Sequence, residues 1–217
     1  MEAQYSLKSK GFLAKPANPN GKAVILVHEF WGLNQQMKNA AGRVAKEGFL
    51  TLAVDLYEGK LTADPAEARK LKDGLAEESA LENLRDAIKY SQTLGIKPEK
   101  IALWGFCMGG GFTFQAATRG VKAGAYVIYY GRILDDKEIL ANIQSPLLGI
   151  FGGLDQGIPR DLVERFHAAL HDLEKPHEVY IYPEADHAFA NEERPVYNEK
   201  SAKDAWSKTI TFLNKYL

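Results

Sequence analysis

The chain has 217 residues, of which 46% are hydrophobic and 25% charged, the balance of one folded domain rather than a disordered chain. Lysine and arginine total 27 against 28 aspartate and glutamate, so a net charge of −1 argues against nucleic acid or an anionic membrane as a partner. The single cysteine excludes an intramolecular disulfide and a cysteine-rich zinc site. No secretory signal and no apolar run of about 20 residues is visible, so we expect one cytoplasmic domain over residues 1–217.

Short apolar runs alternate along the chain with longer stretches of helical period. The segment Gln4 to Leu13 predicts an antiparallel edge strand. Runs that are apolar on both faces predict strands of a helix-covered sheet at Lys22 to His28, Leu50 to Leu56, Ile101 to Trp104, Ala123 to Tyr130, Pro146 to Phe151 and Glu178 to Tyr182. Amphipathic stretches predict helices at Asn34 to Lys46, Pro65 to Lys72, Glu77 to Thr93, Gly111 to Thr118, Arg160 to Leu173 and Ser201 to Tyr216. The alternation predicts a doubly wound α/β domain, with a mostly parallel central sheet and helices on both faces.

A glycine-rich turn, Gly105-Phe106-Cys107-Met108-Gly109-Gly110-Gly111, separates a predicted strand from a predicted helix. This is the spacing of a nucleophile elbow, in which glycines allow a strained turn to pack between strand and helix. The dipole of the following helix also favours a thiolate. We therefore interpret Cys107 as a nucleophile rather than as a buried structural cysteine. The glycines do not follow the dinucleotide-binding spacing, and the Gly-Lys-Ser/Thr of a phosphate-binding loop is missing.

A nucleophile of this kind needs a histidine base, and the chain offers five histidines. His28 precedes the elbow, which is the wrong chain order for this fold. His167 and His171 share one face of a predicted helix, without the glutamate of a metal-binding motif, and His177 begins a strand. His187 follows both the elbow and a strand, so we predict that it is the base.

The base needs a carboxylate to orient it, and two candidates lie close to a strand end. Asp155 follows the strand Pro146 to Phe151 after a glycine turn, where its side chain could reach the ring of His187. Asp186 is the alternative, but it neighbours the histidine and would have to fold back locally. We predict a triad of Cys107, Asp155 and His187.

Acyl chemistry also needs hydrogen-bond donors for the oxyanion that develops on the attacked carbonyl. One donor in this architecture is the backbone N–H after the nucleophile, here that of Met108. The other comes from the loop after the first long strand, His28-Glu29-Phe30-Trp31-Gly32-Leu33, where we expect the Phe30 N–H. Glu29 brings a carboxylate to the same edge of the sheet, with an ordinary surface glutamate as the alternative interpretation.

These residues together resemble the dienelactone hydrolase family, a cysteine-using branch of the α/β-hydrolases, almost from end to end. The resemblance lies in Val27 to Gly32, Asp55-Leu56-Tyr57, Gly105 to Gly110, Tyr130-Gly131, Gly153-Leu154-Asp155 and Asp186 to Ala190. It implies an α/β-hydrolase fold and the hydrolysis of a dienelactone (carboxymethylenebutenolidase activity), without a metal or an organic cofactor. It also implies that Cys107, Asp155 and His187 form the triad and that Glu29 contacts the resting thiol.

The chain departs from the family where the substrate carboxylate is held by two arginines. One family arginine stands four residues after the triad histidine, and here that residue is Asn191. The other belongs to the helix Pro65 to Lys72, where Arg69 is the nearest candidate. With Asn191, Arg69 and Trp31 as candidate substrate contacts, we expect weaker recognition of anionic lactones than in the founding type.

Two further functions remain as alternatives to a dienelactone hydrolase. One is a general carboxylesterase acting on neutral esters, and the other is a non-catalytic or redox thiol protein of the same fold. A redox thiol needs neither Asp155 nor His187, and the chain has no second cysteine to resolve an oxidised first one. We expect a small-molecule ester or lactone as the binding partner, and a monomer, with a weak dimer as the alternative.

Overall fold

The computed structural model describes residues 1–6 and 9–217, and the strands in these residues form a single sheet. The strands are β1 (Glu2–Gln4), β2 (Lys10–Ala14), β3 (Ala23–Val27), β4 (Leu50–Asp55), β5 (Ile101–Phe106), β6 (Ala125–Tyr129), β7 (Leu147–Gly152) and β8 (His177–Tyr182). Their order across the sheet is β1-β2-β4-β3-β5-β6-β7-β8. The pairs from β4 to β8 are parallel, whereas β2 runs antiparallel to both β1 and β4.

Helices cover both faces of the sheet. They are α1 (Gln35–Lys46), α2 (Pro65–Asp73), α3 (Glu77–Thr93), α4 (Met108–Thr118), α5 (Lys137–Leu140), α6 (Arg160–Asp172) and α7 (Glu199–Tyr216). Buried residues of α1 and α7 pack on one face, and those of α3, α4, α5 and α6 pack on the other. The central strands β3 and β5 are buried along their whole length, which explains why they are apolar on both sides. The predicted doubly wound α/β domain, with a mostly parallel sheet and helices on both faces, is therefore confirmed.

Three local features differ from the prediction. The segment Gln4 to Leu13 forms parts of two strands, β1 and β2, paired antiparallel to each other, and its positions 7 and 8 lie outside the described residues. Helix α4 begins at Met108 instead of Gly111, because the elbow closes at once into a helical turn through the bond from Gly111 N–H to Cys107 O. Helix α5 has only four residues, too short to show a hydrophobic period.

The topology brings distant parts of the chain to one edge of the sheet. Because β3, β5, β7 and β8 run parallel, the residues that follow them meet at their shared carboxyl edge. These residues include Glu29 after β3, Cys107 after β5, Asp155 after β7 and His187 after β8. None of the helices in residues 1–6 and 9–217 combines the length and the apolar character that a membrane crossing requires.

Candidate active site

The turn that carries Cys107 is strained and tightly packed. Cys107 has φ 52° and ψ −114°, in the region of positive φ that side chains other than glycine rarely adopt. A Cβ on Gly105 would overlap the carbonyl of Gly109, and a Cβ on Gly109 would overlap the carbonyl of Val27. Glycine is therefore required on both sides of the elbow, and α4 is pressed against the sheet with the sulfur at its N-terminus.

Cys107, His187 and Asp155 lie in one hydrogen-bonded line. The Cys107 Sγ is 3.1 Å from Nε2 of His187, and Nδ1 of the same ring is 2.6 Å from Oδ2 of Asp155. The other oxygen of the buried Asp155 accepts the N–H groups of Gly157 at 2.8 Å and Ile158 at 3.1 Å. The carboxylate is thus fixed by the backbone of its own loop and faces the imidazole.

The charge state of His187 follows from these two partners. Burial by itself lowers the pKa of His187, but the hydrogen bonds and charges of Asp155 and Cys107 outweigh it and raise the pKa to about 10. The arrangement therefore favours an imidazolium at neutral pH, with its proton between the ring and the sulfur.

The rival residues have local roles in the structure. Asp186 accepts the backbone N–H of His187 at 2.6 Å, so its carboxylate shapes the loop instead of reaching the ring. His28 is buried, and its Nε2 accepts the N–H of Leu56 at 3.1 Å, which leaves Nδ1 to donate to the carbonyl of Glu29 at 2.6 Å. Burial lowers the pKa of His28, in keeping with a neutral ring that ties two loops together.

The two backbone groups that we expect at the oxyanion are unengaged. Within residues 1–6 and 9–217, neither the Phe30 N–H nor the Met108 N–H donates to a protein acceptor. Phe30 lines the same pocket as Cys107, and Met108 is the first residue of α4. The Tyr57 hydroxyl donates to Sδ of Met108 at 3.1 Å and so fixes that side chain. Both N–H groups are free to bind an incoming oxygen.

Glu29 is buried and lines the same pocket as Cys107, but it does not make the contact that the family resemblance implies. Its carboxylate accepts the Nδ2–H of Asn191 at 2.8 Å and the hydroxyl of Tyr130 at 3.4 Å, whereas the sulfur pairs with His187. Burial raises the pKa of Glu29, opposed first by the bond from Asn191 and then by His187, Tyr130 and Arg194. In the described residues, therefore, the carboxylate is satisfied by donors other than the thiol.

A pocket of about 340 Å³ opens above the sulfur. Its lining residues are Glu29, Phe30, Trp31, Pro65, Arg69, Cys107, Asp186, His187, Ala188, Arg194 and Val196. Of the candidate substrate contacts, Arg69 and Trp31 belong to this wall, whereas Asn191 is only 2% exposed and turns its amide to Glu29. Sequence reasoning missed Arg194, whose guanidinium lies 4.6 Å from the ring centre of Trp31. The one sequence signal for Arg194 is that it is a basic residue in the loop after His187.

A larger cavity of about 510 Å³ lies beside β2 and the loop 58–61, and it contains neither Cys107 nor His187. Across the described part of the chain, no three His, Cys, Asp or Glu side chains are grouped so that they could hold a metal ion.

Comparison with known proteins agrees on one family. The model of the dienelactone hydrolase family matches residues 9–217. A protein of Saccharolobus solfataricus that is provisionally named carboxymethylenebutenolidase is 34% identical, over 96% of this chain and 94% of its own. The crystal structure of a provisionally named dienelactone hydrolase from Klebsiella pneumoniae has 27% identity and a TM-score of 0.88, covering 100% of this chain and 99% of that one.

A more distant structure extends the likeness of fold. A thermophilic esterase of Thermogutta terrifontis shares 16% identity with a TM-score of 0.78, over 99% of this chain and 91% of its own. At that identity the likeness shows the fold alone. With the family model and the curated relatives, it follows that the chain belongs to the dienelactone hydrolase family and is a hydrolase of lactone or ester bonds.

Proposed function

We propose that this protein hydrolyses its ester or lactone through a triad of Cys107, His187 and Asp155 and a thioacyl-enzyme intermediate. The observation that carries the proposal is the unbroken line from Sγ to Nε2 at 3.1 Å and from Nδ1 to Oδ2 at 2.6 Å, at the base of the pocket. Both distances lie within the reach that proton transfer and ring orientation require.

The groups in the pocket account for each step of the reaction. In the reactive state Nε2 of His187 holds the proton that Cys107 has given up, and the thiolate attacks the substrate carbonyl. The oxyanion receives hydrogen bonds from the N–H groups of Phe30 and Met108. As the intermediate collapses, the C–O bond breaks, Nε2 returns its proton to the leaving oxygen, and a thioester remains on Cys107. A water that gives its proton to Nε2 then attacks the thioester, and cleavage of the C–S bond releases the acid and restores the thiolate beside the protonated His187.

For the substrate, we propose an ester or lactone that carries a carboxylate beside an apolar body, as the carboxymethylenebutenolidase activity of the family requires. The apolar part fits the wall formed by Phe30, Trp31 and Val196, and the carboxylate fits Arg69 and Arg194. The proposal departs from the expectation of weak anion recognition, which considered position 191 and Arg69 but not Arg194, a second cation in the pocket wall.

Two nitrophenyl esters with the same leaving group test both the proposed triad and the proposed anionic substrate. Purified protein should hydrolyse mono(4-nitrophenyl) succinate with a higher kcat/KM than 4-nitrophenyl acetate, and Cys107→Ala should abolish both activities. Arg194→Gln should reduce the succinate reaction alone, with Arg160→Gln, an exposed arginine at the start of α6, as the matched control. A wild type without preference for the anionic ester would favour the neutral carboxylesterase. Normal turnover by Cys107→Ala would refute the triad.

A further inference from the structure

The Glu29 carboxylate is held on both of its oxygens. Oε2 accepts from Nδ2 of Asn191, and Oε1 accepts from the hydroxyl of Tyr130. Burial first and then the charge of Glu29 raise the pKa of Tyr130 well above its usual value, so its hydroxyl keeps its proton and stays a donor. Two donors therefore fix a carboxylate that would otherwise be free to turn within the site.

The orientation of the Asn191 amide is set by its own turn. The Glu193 N–H donates to Oδ1 of Asn191 at 3.0 Å, which leaves the Nδ2 group to face Glu29. The backbone of Asn191 also bonds at both ends, from its N–H to Ala188 O at 3.0 Å and from the Arg194 N–H to its carbonyl at 3.0 Å. The side chain is 2% exposed. This amide is thus a fixed donor on the same loop that carries His187.

The sulfur of Cys107 pairs with His187 and not with Glu29. Cys107 contacts His187, with Nε2 at 3.1 Å from Sγ. Burial first and then the charge of Cys107 raise the pKa of Tyr57, and the same charge adds to burial and to Glu29 in raising the pKa of Tyr130. The groups that face Glu29 are Asn191, Tyr130, His187 and Arg194. A carboxylate that turned to the sulfur would disfavour the thiolate, by like-charge repulsion and by accepting a hydrogen bond from S–H. The position of Glu29 therefore governs how much thiolate is present before substrate binds.

We propose that Asn191 is a positioning residue that holds the Glu29 carboxylate away from the sulfur, so that the free enzyme keeps the Cys107–His187 pair ready to attack. The proposal rests on the proposed triad and adds to it that Glu29 does not have to move before the sulfur attacks. It also assigns a role to Asn191 at the position where the family resemblance led us to expect a substrate contact. The bond ties the loop of His187 to the loop that carries Phe30, on the other side of the pocket.

The test is the rate of Cys107 alkylation by iodoacetamide against pH, without substrate, alongside a thermal melt. In Asn191→Leu the freed carboxylate should turn to the sulfur, and the midpoint of the profile should rise by about one pH unit or more, which slows alkylation about tenfold on the acid side. In Asn191→Leu with Glu29→Gln the midpoint should return to the wild-type value or below. Asn39→Leu, at an exposed site on α1, should leave the profile unchanged.

The outcomes separate this proposal from the triad. Superimposable profiles of the wild type and a folded Asn191→Leu would overturn it, as would a shift that Glu29→Gln does not reverse. If Asn191→Leu does not fold, the single variant Glu29→Gln decides. If Glu29→Gln is alkylated more than about tenfold faster than the wild type at neutral pH, the Glu29 carboxylate contacts the resting thiol and the proposal fails. A smaller change supports the proposal. Alkylation needs no turnover. A refutation of the triad, by normal ester hydrolysis in Cys107→Ala, would therefore be a separate result.

Discussion

The substitution Asp155→Asn tests the orienting role of the carboxylate without changing its volume. Oδ1 of Asp155 accepts two backbone N–H groups, from Gly157 and Ile158. The amide oxygen of an asparagine must occupy this place, because an NH₂ group cannot accept those bonds. Its Nδ2 then faces Nδ1 of His187, where the carboxylate oxygen lies at 2.6 Å.

The consequence for the ring is a change of tautomer. An amide N–H donates to an unprotonated Nδ1, so the neutral imidazole keeps its proton on Nε2 and cannot accept the thiol proton from Cys107. The corresponding substitution in the serine-protease triad lowers kcat about 10⁴-fold, or about 5.5 kcal/mol of transition-state stabilisation. We expect a loss of about 10³-fold or more here.

The assay is kcat/KM for a nitrophenyl ester at neutral pH, with a thermal melt to show that the variant is folded. Asp186→Asn is the matched control, because within residues 1–6 and 9–217 the Asp186 carboxylate accepts only a backbone bond of its own loop. We expect this control to change turnover by less than about tenfold, the size of one local hydrogen bond. A silent Asp155→Asn together with a severe Asp186→Asn would refute the assignment of the acid.

Four further outcomes are expected. Cys107→Ala should lose ester hydrolysis and still melt cooperatively, which activity and melting curves check. Arg194→Gln should lower kcat/KM about 10- to 150-fold for an anionic ester alone, the cost of one charge-assisted hydrogen bond of roughly 1.5–3 kcal/mol. Burial raises the pKa of Glu29, so its ionisation destabilises the fold as pH rises, and the gain in Tm from Glu29→Gln should grow from pH 4 to pH 7. The pKa of His187 is raised to about 10, so its stabilising contribution is complete below about pH 6.5 and is lost towards pH 10. The unfolding free energy of the wild type should therefore fall over this range more than that of Asp155→Asn, and equal slopes would contradict the pairing.

The sheet and the elbow could be predicted because their signals are local. A strand that is buried on both faces must be apolar along its length, and β3 and β5 show this. The elbow requires glycine where strand and helix backbones touch, and Gly105 and Gly109 meet that requirement. The parallel order then brings the residues after β5, β7 and β8 to one edge, whatever their separation in the chain.

The contacts within the pocket could not be predicted, because they depend on the path of loops. Counting four residues from His187 led to the expectation that Asn191 meets the substrate, but Ala188 has φ 62° and the turn that follows buries Asn191. The same turn brings Arg194 over Trp31, although no periodic pattern links these positions. A hydrophobic pattern specifies which face of a strand or helix is buried, but it carries no information on where a loop side chain points.

The strain in the backbone argues independently that this edge is built for chemistry. Of the five non-glycine residues with positive φ in residues 1–6 and 9–217, Cys107, Tyr130 and Ala188 adjoin the site. Such conformations cost of order 1–3 kcal/mol each. Glu29 adds the cost of burying a carboxylate, since burial disfavours its charged form. An apolar residue at this position would not carry that cost. A stability cost that is retained for reactivity predicts such a concentration around one sulfur, and it points to the same edge of the sheet as the triad geometry does.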